Sequence, residues 1–411
     1  MRSGPRKYGA GLCTAALLVA AATQCTFSLP ALVADQDAEP DGAAEGGPDA
    51  PLDAPDASRD ATLDAAVDSA PDATVDAPTD AAPDAPIGCP TAGSIVLVKG
   101  GLSQPTSVKV DSTYVYWSAL DGTLALLPRD GGSPCDLLPG ASPVAIHDIA
   151  IDPVRIFYVW GNPSNPPNGI QAATVGGSCS GASTPDYFHG QRENGPPHSV
   201  ALPYAPGVAA TSAFFAQTNG VVAGCLVLPD YSGDDAGLCF TIESDGGLLI
   251  RTPYRIAADS DHIYWTNNGG GSVMSALQDG GAITVIATEA GAPMGIAVDP
   301  ADGGYVYWGD QAGNIMRANK DGTNATQVAS SAPAAESLTL DSKYVYWVAS
   351  GDGGPASGAV LRAPLAGGCT TTLAAAQDNP WNLAVDPADG GSVYWVNNVD
   401  DGGIYQVVNP P

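Results

Sequence analysis

Short alternations of apolar and aromatic residues recur along most of the chain, and one of them returns in recognisable copies. The copies lie at Tyr114–Trp117, Phe157–Trp160, His262–Trp265, Tyr305–Trp308, Tyr344–Trp347 and Ser392–Trp395, with a degenerate one at Phe214–Gln217. Successive copies are roughly 40–55 residues apart, which is the repeat length of propeller and solenoid proteins. The alternation within each copy indicates a β-strand, so the sequence predicts a repeated β unit.

Each unit contains three further apolar segments. The first precedes the aromatic segment and ends in Asp, as in Val108–Asp111, Ile149–Asp152, Ile296–Asp299 and Leu383–Asp386. A third and a fourth segment follow, divided by turns. Several turns carry Asp-Gly pairs, which favour hairpins because both residues tolerate positive φ; these pairs begin at Asp121, Asp130, Asp279 and Asp321. Four strands in each of seven units predict an all-β protein, a seven-bladed β-propeller over residues 89–411.

The two ends of this region complement each other. The last unit stops after its third segment, Ile404–Val408, whereas the segment Ser94–Lys99 stands alone before the first unit. We therefore expect the N-terminal segment to supply the missing strand of the last blade and to close the ring. The recurring Tyr and Trp side chains should pack between blades, where they supply large apolar contacts.

One unit in particular resembles a known repeat. Tyr305–Asp310 followed by Asn314–Gly322 is similar to a blade of the YWTD propellers of the low-density-lipoprotein-receptor type, and the resemblance covers about residues 90–411. Similar repeats occur in bacterial exported proteins of unknown function. The resemblance implies a propeller fold. The YWTD family usually has six blades, and most copies here lack its Thr-Asp, so a receptor-like mode of ligand binding does not follow.

Residues 1–25 have the pattern of a signal peptide. Basic residues precede an apolar run over positions 9–22, which is too short for a membrane span of about 20 residues. The run leads into a segment that resembles a bacterial lipobox, which makes Cys25 a candidate for lipidation. Gln24 departs from the small residue usual at that position, and the alternative is cleavage near Ala34. The segment predicts location in the bacterial cell envelope, lipid-anchored at the outer surface or in the periplasm, or secretion.

Residues 26–88 are rich in Asp, Ala and Pro. The stretch 31–88 carries 13 Asp, 2 Glu and a single Arg, a net charge of −14 within the −29 of the whole chain. Proline interrupts helical hydrogen bonding, and few side chains here can bury apolar area, so we expect a disordered linker that provides reach. The acidity of the chain argues against nucleic acid as a partner, because phosphate contact needs a basic surface.

The cysteine pattern favours disulfides over metal binding. Two of the eight cysteines lie in the signal segment, and an even number remains, which is typical of exported proteins. No Cys-x-x-Cys pair occurs, so no metal site is expected. Cys225 and Cys239 flank the third and fourth segments of one unit and are predicted to form a cross-strand disulfide. The pairing of four others stays open, namely Cys89, Cys135, Cys179 and Cys369.

The long insertions of the chain identify one face of the propeller. Residues 161–169, 178–206 and 350–357 all belong to the face on which the first strands begin. The residue pairs at those strand starts should ring the mouth of the central channel; they are Thr106-Ser107, His147-Asp148, Pro206-Gly207, Tyr254-Arg255, Met294-Gly295, Glu336-Ser337 and Trp381-Asn382.

The polar and aromatic members of this ring contrast with the apolar strands behind them. We therefore predict a ligand-binding site formed by His147, Asp148, Tyr254, Arg255, Glu336, Trp381 and Asn382. The alternative interpretation is structural, because a propeller mouth is wet and any polar residue suits it. The remaining histidines, His189, His198 and His262, are interpreted as incidental.

No catalytic motif or cofactor-binding motif accompanies this ring. The leading hypothesis is a monomeric, non-enzymatic binding or scaffold protein that engages a protein or glycan at the cell surface, with no cofactor and with the membrane contacted only through the candidate lipid anchor. The alternative is a lyase or hydrolase at the channel mouth, with His147, Asp148 and Glu336 in acid–base or metal roles. A third hypothesis is a structural surface protein without a specific ligand.

Overall fold

In the computed structural model of the protein, the described residues are 93–138, 144–161, 168–175, 186–188, 196–203, 207–217, 220–227, 239–242, 250–301, 303–331, 334–352, 354–386 and 391–408. All of them belong to one compact unit, residues 80–411. The predictions for the signal segment, for Cys25 and for the linker therefore lie outside the described residues. Within these residues, no helix has the length and apolar character needed to cross a bilayer.

Strands are numbered in chain order from β1 (Ile95–Leu102), and they form seven four-stranded antiparallel sheets. Blade one consists of β2 (Pro105–Val110), β3 (Tyr114–Ala119), β4 (Leu124–Pro128) and β5 (Cys135–Asp136). Blade two consists of β6 (Ala145–Ile151), β7 (Arg155–Gly161), β8 (Gly169–Thr174) and β9 (Asp186–Phe188). Blade three consists of β10 (Pro197–Ala201), β11 (Ser212–Gln217), β12 (Val221–Leu226) and β13 (Cys239–Ile242).

Blade four consists of β14 (Pro253–Ala258), β15 (His262–Asn267), β16 (Ser272–Leu277) and β17 (Thr284–Ala287), with a 3₁₀ turn at Asn268–Gly270. Blade five consists of β18 (Pro293–Val298), β19 (Tyr305–Asp310), β20 (Asn314–Asn319) and β21 (Thr326–Ser330). Blade six consists of β22 (Ala335–Leu340), β23 (Tyr344–Ala349), β24 (Gly358–Pro364) and β25 (Thr371–Gln377). Blade seven consists of β26 (Pro380–Val385), β27 (Val393–Asn397), β28 (Gly402–Val407) and β1.

The seven sheets close into a circle, which confirms the predicted seven-bladed propeller. The first strands β2, β6, β10, β14, β18, β22 and β26 contact one another in this order, and β26 contacts β2. These strands therefore form the wall of a central channel. The N-terminal strand β1 pairs antiparallel with β28, with Ile95 opposite Val407 and Leu97 opposite Tyr405, so the predicted closing strand is also confirmed.

Aromatic side chains of the second strands interlock successive blades. Adjacent strand residues point to opposite faces of a sheet, so a Tyr-Trp pair reaches both neighbouring blades. Tyr307 of blade five packs in one buried cluster with Trp347 of blade six. Tyr394 of blade seven packs in the same way with Trp117 of blade one, which carries the interlock across the closure of the ring.

Blade two keeps this interlock in a register that differs from the sequence prediction. Phe157 and Tyr158 lie opposite the β6 residues that correspond to those opposite Tyr116 and Trp117 in blade one. The copy in blade two is therefore shifted, and Trp160, which the prediction aligned with the repeat tryptophan, is only half-buried. The prediction was wrong here because it aligned Trp160 with the repeat tryptophan. The structural equivalent of that tryptophan is Tyr158, two residues earlier.

Blade three shows the same kind of shift. Phe214 and Phe215 occupy the Tyr-Trp positions, because they lie opposite Ala201 and Val200, the last two residues of β10. Phe215 packs with Phe157 of blade two, and Phe214 packs with Trp265 of blade four. The interlock is thus preserved around the whole ring with two phenylalanines in place of the usual pair.

The Asp that ends a first strand organises the turn that follows it. Asp341 accepts hydrogen bonds from the backbone N–H groups of Lys343 and Tyr344 at 2.7 Å each, and its second oxygen accepts the hydroxyl of Tyr346 at 2.7 Å. Asp111 makes the equivalent contacts in blade one. The Asp therefore ties the turn to the aromatic strand, in keeping with its position in the repeat.

The glycines of the four Asp-Gly turns have φ between 84° and 88°, which confirms the predicted turn chemistry.

The predicted disulfide between Cys225 and Cys239 is confirmed, and the two residues lie directly opposite each other on β12 and β13. Cys135 and Cys369 are also disulfide-bonded. Cys89 and Cys179 lie outside the described residues, so the remaining pairing is not assigned.

The interlock predicts that Trp347→Ala lowers the free energy of unfolding by about 3–5 kcal/mol, because a fully buried aromatic side chain is replaced by a cavity. Trp160→Ala should cost clearly less, since Trp160 lies outside the interlock. Urea unfolding monitored by circular dichroism compares the two. Equal losses for both variants would contradict the shifted register in blade two.

Ring closure can be tested on β1 without disturbing the core, because the side chains of Val96 and Leu97 are exposed. Val96→Pro combined with Leu97→Pro removes both backbone donors, and one of them faces β28 in an antiparallel ladder. We expect a loss of about 2 kcal/mol in urea unfolding. Val96→Thr combined with Leu97→Thr keeps the donors and should unfold like the unchanged protein.

Candidate functional site

The channel wall carries a ring of polar side chains, one position from each first strand. Six of the seven positions are polar, and the seventh is Gly295; the polar members are Ser107, Asp148, Ser199, Arg255, Ser337 and Asn382. Each lies one residue before the first-strand residue that pairs with the repeat Trp position. The ring is almost completely buried, so its polar atoms must find partners within the protein.

Hydrogen bonds connect these side chains from blade to blade. Ser107 donates to Asp148 Oδ1 at 2.8 Å and lies 3.3 Å from Asn382 Oδ1. Ser199 donates to Asp148 Oδ2 at 3.0 Å, and the backbone N–H groups of Val200 and Ile149 donate to the same carboxylate. Asp148 therefore has four donors around it and is 3% exposed. Its arrangement is that of a structural carboxylate.

The seventh ring position requires glycine because two backbones approach closely there. A Cβ on Gly295 would lie 2.5 Å from a methyl group of Leu338 and 3.0 Å from its backbone nitrogen. The blade that follows leaves no space for a side chain. The polar ring is thus interrupted between blades four and six.

Above the ring, at the mouth, two histidines from neighbouring blades lie together. The rings of His147 and His198 are 5.1 Å apart between centroids, at an interplanar angle of 31°. His147 Nε2 is buried and has no hydrogen-bond partner among the described residues. The sequence analysis missed His198, because it placed the start of blade three at Pro206-Gly207. The first strand is in fact β10, and Gly207 lies in an exposed turn after it.

Burial keeps both histidines neutral over most of the pH range. Burial, together with the nearby His147 and Arg255 and against the effect of Asp148, lowers the pKa of His198 to about 4. Burial also lowers the pKa of His147, against the effect of a hydrogen bond to the Gly161 backbone and of Asp148. Neutral imidazoles can donate and accept hydrogen bonds, so the pair is suited to a polar, uncharged group.

A second pair crosses the mouth from blade four to blade six. The Tyr254 hydroxyl donates to Glu336 Oε2 at 2.9 Å, and Ser350 donates to Oε1 at 3.2 Å. Burial raises the pKa of Glu336, although its hydrogen bonds and the nearby Arg255 oppose the shift. Burial together with the Glu336 charge also raises the pKa of the Tyr254 hydroxyl. The pair is held by mutual hydrogen bonding and spans the position of Met294.

The predicted site residues therefore divide into two levels. His147, Tyr254, Glu336 and Trp381 lie at the mouth, and Trp381 also packs against the core between blades seven and one. The other three, Asp148, Arg255 and Asn382, belong to the ring beneath. Asn382 accepts from the Val108 backbone at 3.2 Å and donates to Ser337 at 3.4 Å, so it joins three blades.

One cationic group, Arg255, belongs to the ring, and a second, Lys109, lies next to it on β2. Arg255 Nη1 is 3.6 Å from Asp148 Oδ2, which is an ion pair without a hydrogen bond. Lys109, two residues beyond Ser107 on β2, interacts electrostatically with both Asp148 and Arg255. The sequence analysis did not single out Lys109. Lys109 stands out only when the first strands are aligned, because the other six blades have Ala or Thr at the equivalent position.

No cluster of three or more metal-binding side chains occurs within the described part of the chain. A groove of about 840 Å³ lies elsewhere, between the outer strands of blades seven and one, and its lining includes Lys99, Arg129, Asp130 and Tyr394. None of the predicted site residues lines it. Arg129 is already paired with Asp386, so the channel mouth is the stronger candidate site.

Comparisons with known proteins bear on the fold. No family model matches the sequence, and no curated protein matches it. The crystal structure of a nidogen/laminin complex matches with a TM-score of 0.44 and 17% identity, over 62% of this chain and 90% of that one. The crystal structure of a mitotic checkpoint complex matches with a TM-score of 0.55 and 12% identity, over 79% of this chain and 97% of that one. This second likeness supports the fold alone. The chain is a seven-bladed β-propeller, and its resemblance to the YWTD type rests on its own repeats.

The buried histidines predict a specific loss of stability in acid. An unfolded histidine takes up a proton near pH 6.5, whereas folded His198 does so only near pH 4, so the unfolded state binds more protons between these values. The free energy of unfolding should therefore fall as the pH falls from 6.5 to 4, by at most about 3 kcal/mol. Partial exposure of the mouth reduces this figure.

His198→Gln should remove this contribution, as measured by urea unfolding at pH 7 and pH 4.5. His262→Gln, which changes a histidine at the start of β15, should keep the acid sensitivity of the unchanged protein. Glu336 acts in the opposite direction and is common to all three proteins, so it cancels in the comparison. Identical pH dependence in His198→Gln and the unchanged protein would show that His198 is not buried in its neutral form.

Proposed function

We propose that this propeller is a non-enzymatic binding module, exported or held at the cell envelope, that engages a protein or a glycan through the face bearing the channel mouth. The observation that carries the proposal is the composition of the mouth. Five first strands contribute ionisable or aromatic side chains there, and one of their buried nitrogens, His147 Nε2, has no partner among the described residues. An unsatisfied buried group is costly unless a ligand or water completes it.

The two levels of the site have different roles in this proposal. The ring residues Asp148 and Asn382 hold neighbouring blades in register through their hydrogen bonds. The ligand contacts are assigned to the mouth residues His147, His198, Tyr254 and Trp381, which retain some solvent exposure. Aromatic residues of this kind are well suited to binding faces, since they combine apolar area with a polar atom.

The matched solved structure belongs to a multi-protein assembly, the mitotic checkpoint complex. Membership of that assembly is a property of the matched protein. It agrees with a binding role for this chain and identifies no partner. No observation favours the lyase or hydrolase hypothesis. The two groups that it would use as acid and base, His147 and Glu336, lie in blades two and six, and both Glu336 oxygens are engaged by Tyr254 and Ser350.

A paired substitution tests the mouth. Purified protein is applied to an array of glycans and to an immobilised fraction of envelope proteins, and bound protein is quantified. His147→Gln combined with His198→Gln should reduce capture roughly tenfold, because the contacts at a binding centre carry most of the affinity.

The matched control is Asp279→Asn combined with Asp321→Asn, which alters two exposed turns between third and fourth strands, on the opposite face. This variant should bind as the unchanged protein does. The proposal fails if the mouth variant retains full capture or if both variants lose it equally.

A further inference from the structure

The outer rims of neighbouring blades are joined by a contact that recurs around the ring. The turn between the third and fourth strands of one blade packs against the fourth strand of the blade before it. A Cβ on Gly322 in blade five would lie 2.9 Å from the carbonyl oxygen of Val285 in blade four. A Cβ on Gly367 in blade six would lie 3.4 Å from the carbonyl oxygen of Val328 in blade five. The start of a fourth strand is therefore the place where a side chain can reach the rim of a neighbouring blade.

Four cysteines occupy this place in the sequence, each at or shortly before a fourth strand. Cys135 is the first residue of β5 in blade one, and Cys369 lies two residues before β25 in blade six. Cys179 lies between β8 and β9 of blade two, and Cys89 precedes β1, the fourth strand of blade seven. Cys135 and Cys369 are both disulfide-bonded. Of the other cysteines, two are already joined within blade three and two lie in the predicted signal segment.

Four cysteines allow three complete pairings, and the order of the blades leaves only one of them. Blades two, one, seven and six follow one another around the ring. A disulfide holds its two Cα atoms within about 7 Å, whereas every intervening sheet adds about 10 Å. A bond from Cys135 to Cys369 would have to cross blade seven. A bond from Cys89 to Cys135 would leave Cys369 to reach Cys179 across blades seven and one.

The packing of Cys135 selects the same pairing. Its side chain is buried in the cluster between blades one and two, together with Tyr158 of blade two, and Val175 packs against this cluster. Cys179 follows Val175 by four residues, which an extended chain spans in about 14 Å. Blade seven packs against the opposite face of blade one. Cys135 therefore faces the blade to which Cys179 belongs.

The partner of Cys369 has to come from the start of the domain. Blade six contacts blades five and seven, and the sequence of blade five contains no cysteine. A Cβ on Gly93, four residues after Cys89, would lie 3.2 Å from a methyl group of Val407 in blade seven. Val407 packs in one buried cluster with Leu373, which follows Cys369 by four residues. Both cysteines are thus four residues along the chain from the junction between blades six and seven.

We infer that Cys89 forms a disulfide with Cys369, and that Cys135 forms one with Cys179. The first bond fastens the segment before β1 to blade six, so the ring is closed by a covalent bond as well as by the β1–β28 ladder. The loop that it closes contains blades one to five, and a crosslink across a long loop restricts the unfolded chain strongly. The bond therefore secures the closing strand, which lies at the edge of its sheet.

Each bond forms by exchange with an external disulfide. Two thiols of this chain are oxidised to one disulfide, while the external disulfide is reduced to two thiols and takes up the two electrons and two protons. Oxidised glutathione supplies this chemistry in the test tube, so the pairing can be tested without assuming where the protein resides.

The test is a disulfide map of the full chain, purified in the presence of oxidised glutathione. Digestion with pepsin in acid suppresses exchange, because thiolates are protonated there. Mass spectrometry before and after reduction should show Cys89 linked to Cys369 and Cys135 linked to Cys179. The Cys225–Cys239 link serves as the internal control. Any other partner for these four cysteines, or a free thiol at Cys89, overturns the inference.

A labelling experiment gives an independent answer, because Cys369 is exposed. In Cys89→Ser, the released Cys369 thiol should react with a maleimide in the folded protein, whereas Cys369 in the unchanged protein should not. Cys135→Ser is the matched control and should leave Cys369 unlabelled. An unlabelled Cys369 in Cys89→Ser, or a labelled one in the control, contradicts the pairing.

The role of the bond in closure is tested by urea unfolding of Cys89→Ser combined with Cys369→Ser. The unfolding midpoint should fall below that of the unchanged protein in the oxidised state, and the two midpoints should coincide in dithiothreitol. Equal midpoints in the oxidised state would show that the bond does not secure the ring. None of these measurements involves a ligand, so this inference and the proposed binding function can fail separately.

Discussion

The packing of one aromatic side chain of each blade against the next blade is the contact on which the rest of this structure depends. Every second strand carries two adjacent large side chains that point to opposite faces, so each sheet is bound on both sides. The contact from Tyr394 to Trp117 repeats the one from Tyr307 to Trp347, which makes the junction between the ends of the chain equivalent to the other junctions. The circle thereby fixes where the seven first strands meet.

Where the first strands meet around the channel, some of their backbone groups need hydrogen-bond partners outside the sheet. The first strand of each blade is a sheet edge, and its backbone N–H groups have no further strand to pair with. The polar ring answers this locally: Asn382 accepts from the Val108 backbone, and Asp148 accepts from the Val200 backbone. These hydrogen bonds need polar side chains at the ring positions. At Gly295 the backbones of neighbouring blades come too close for a side chain. Polar residues at a channel are therefore not evidence of a ligand unless their bonding capacity is left unused.

This criterion separates the residues of the candidate site. Asp148 has every oxygen engaged, and it is best understood as part of the scaffold. His147 retains an unbonded ring nitrogen, Nε2, in a region where burial makes an incomplete set of bonds costly. Desolvation also sets the charge of the mouth, because it keeps His147 and His198 neutral while the cations lie deeper in the channel.

The amino-acid sequence by itself determined the repeat, the number of blades and the closing strand, because strand alternation and turn chemistry are local properties that recur at a fixed period. It also determined the Cys225–Cys239 pair, since both residues lie on adjacent strands of one hairpin. Tertiary structure alone decided the register of blades two and three, because Trp160 resembles the repeat tryptophan and β10 lies within the stretch 178–206 that was predicted to be an insertion. It alone brought His198 beside His147, because that contact depends on how blades two and three pack against each other and not on any local pattern.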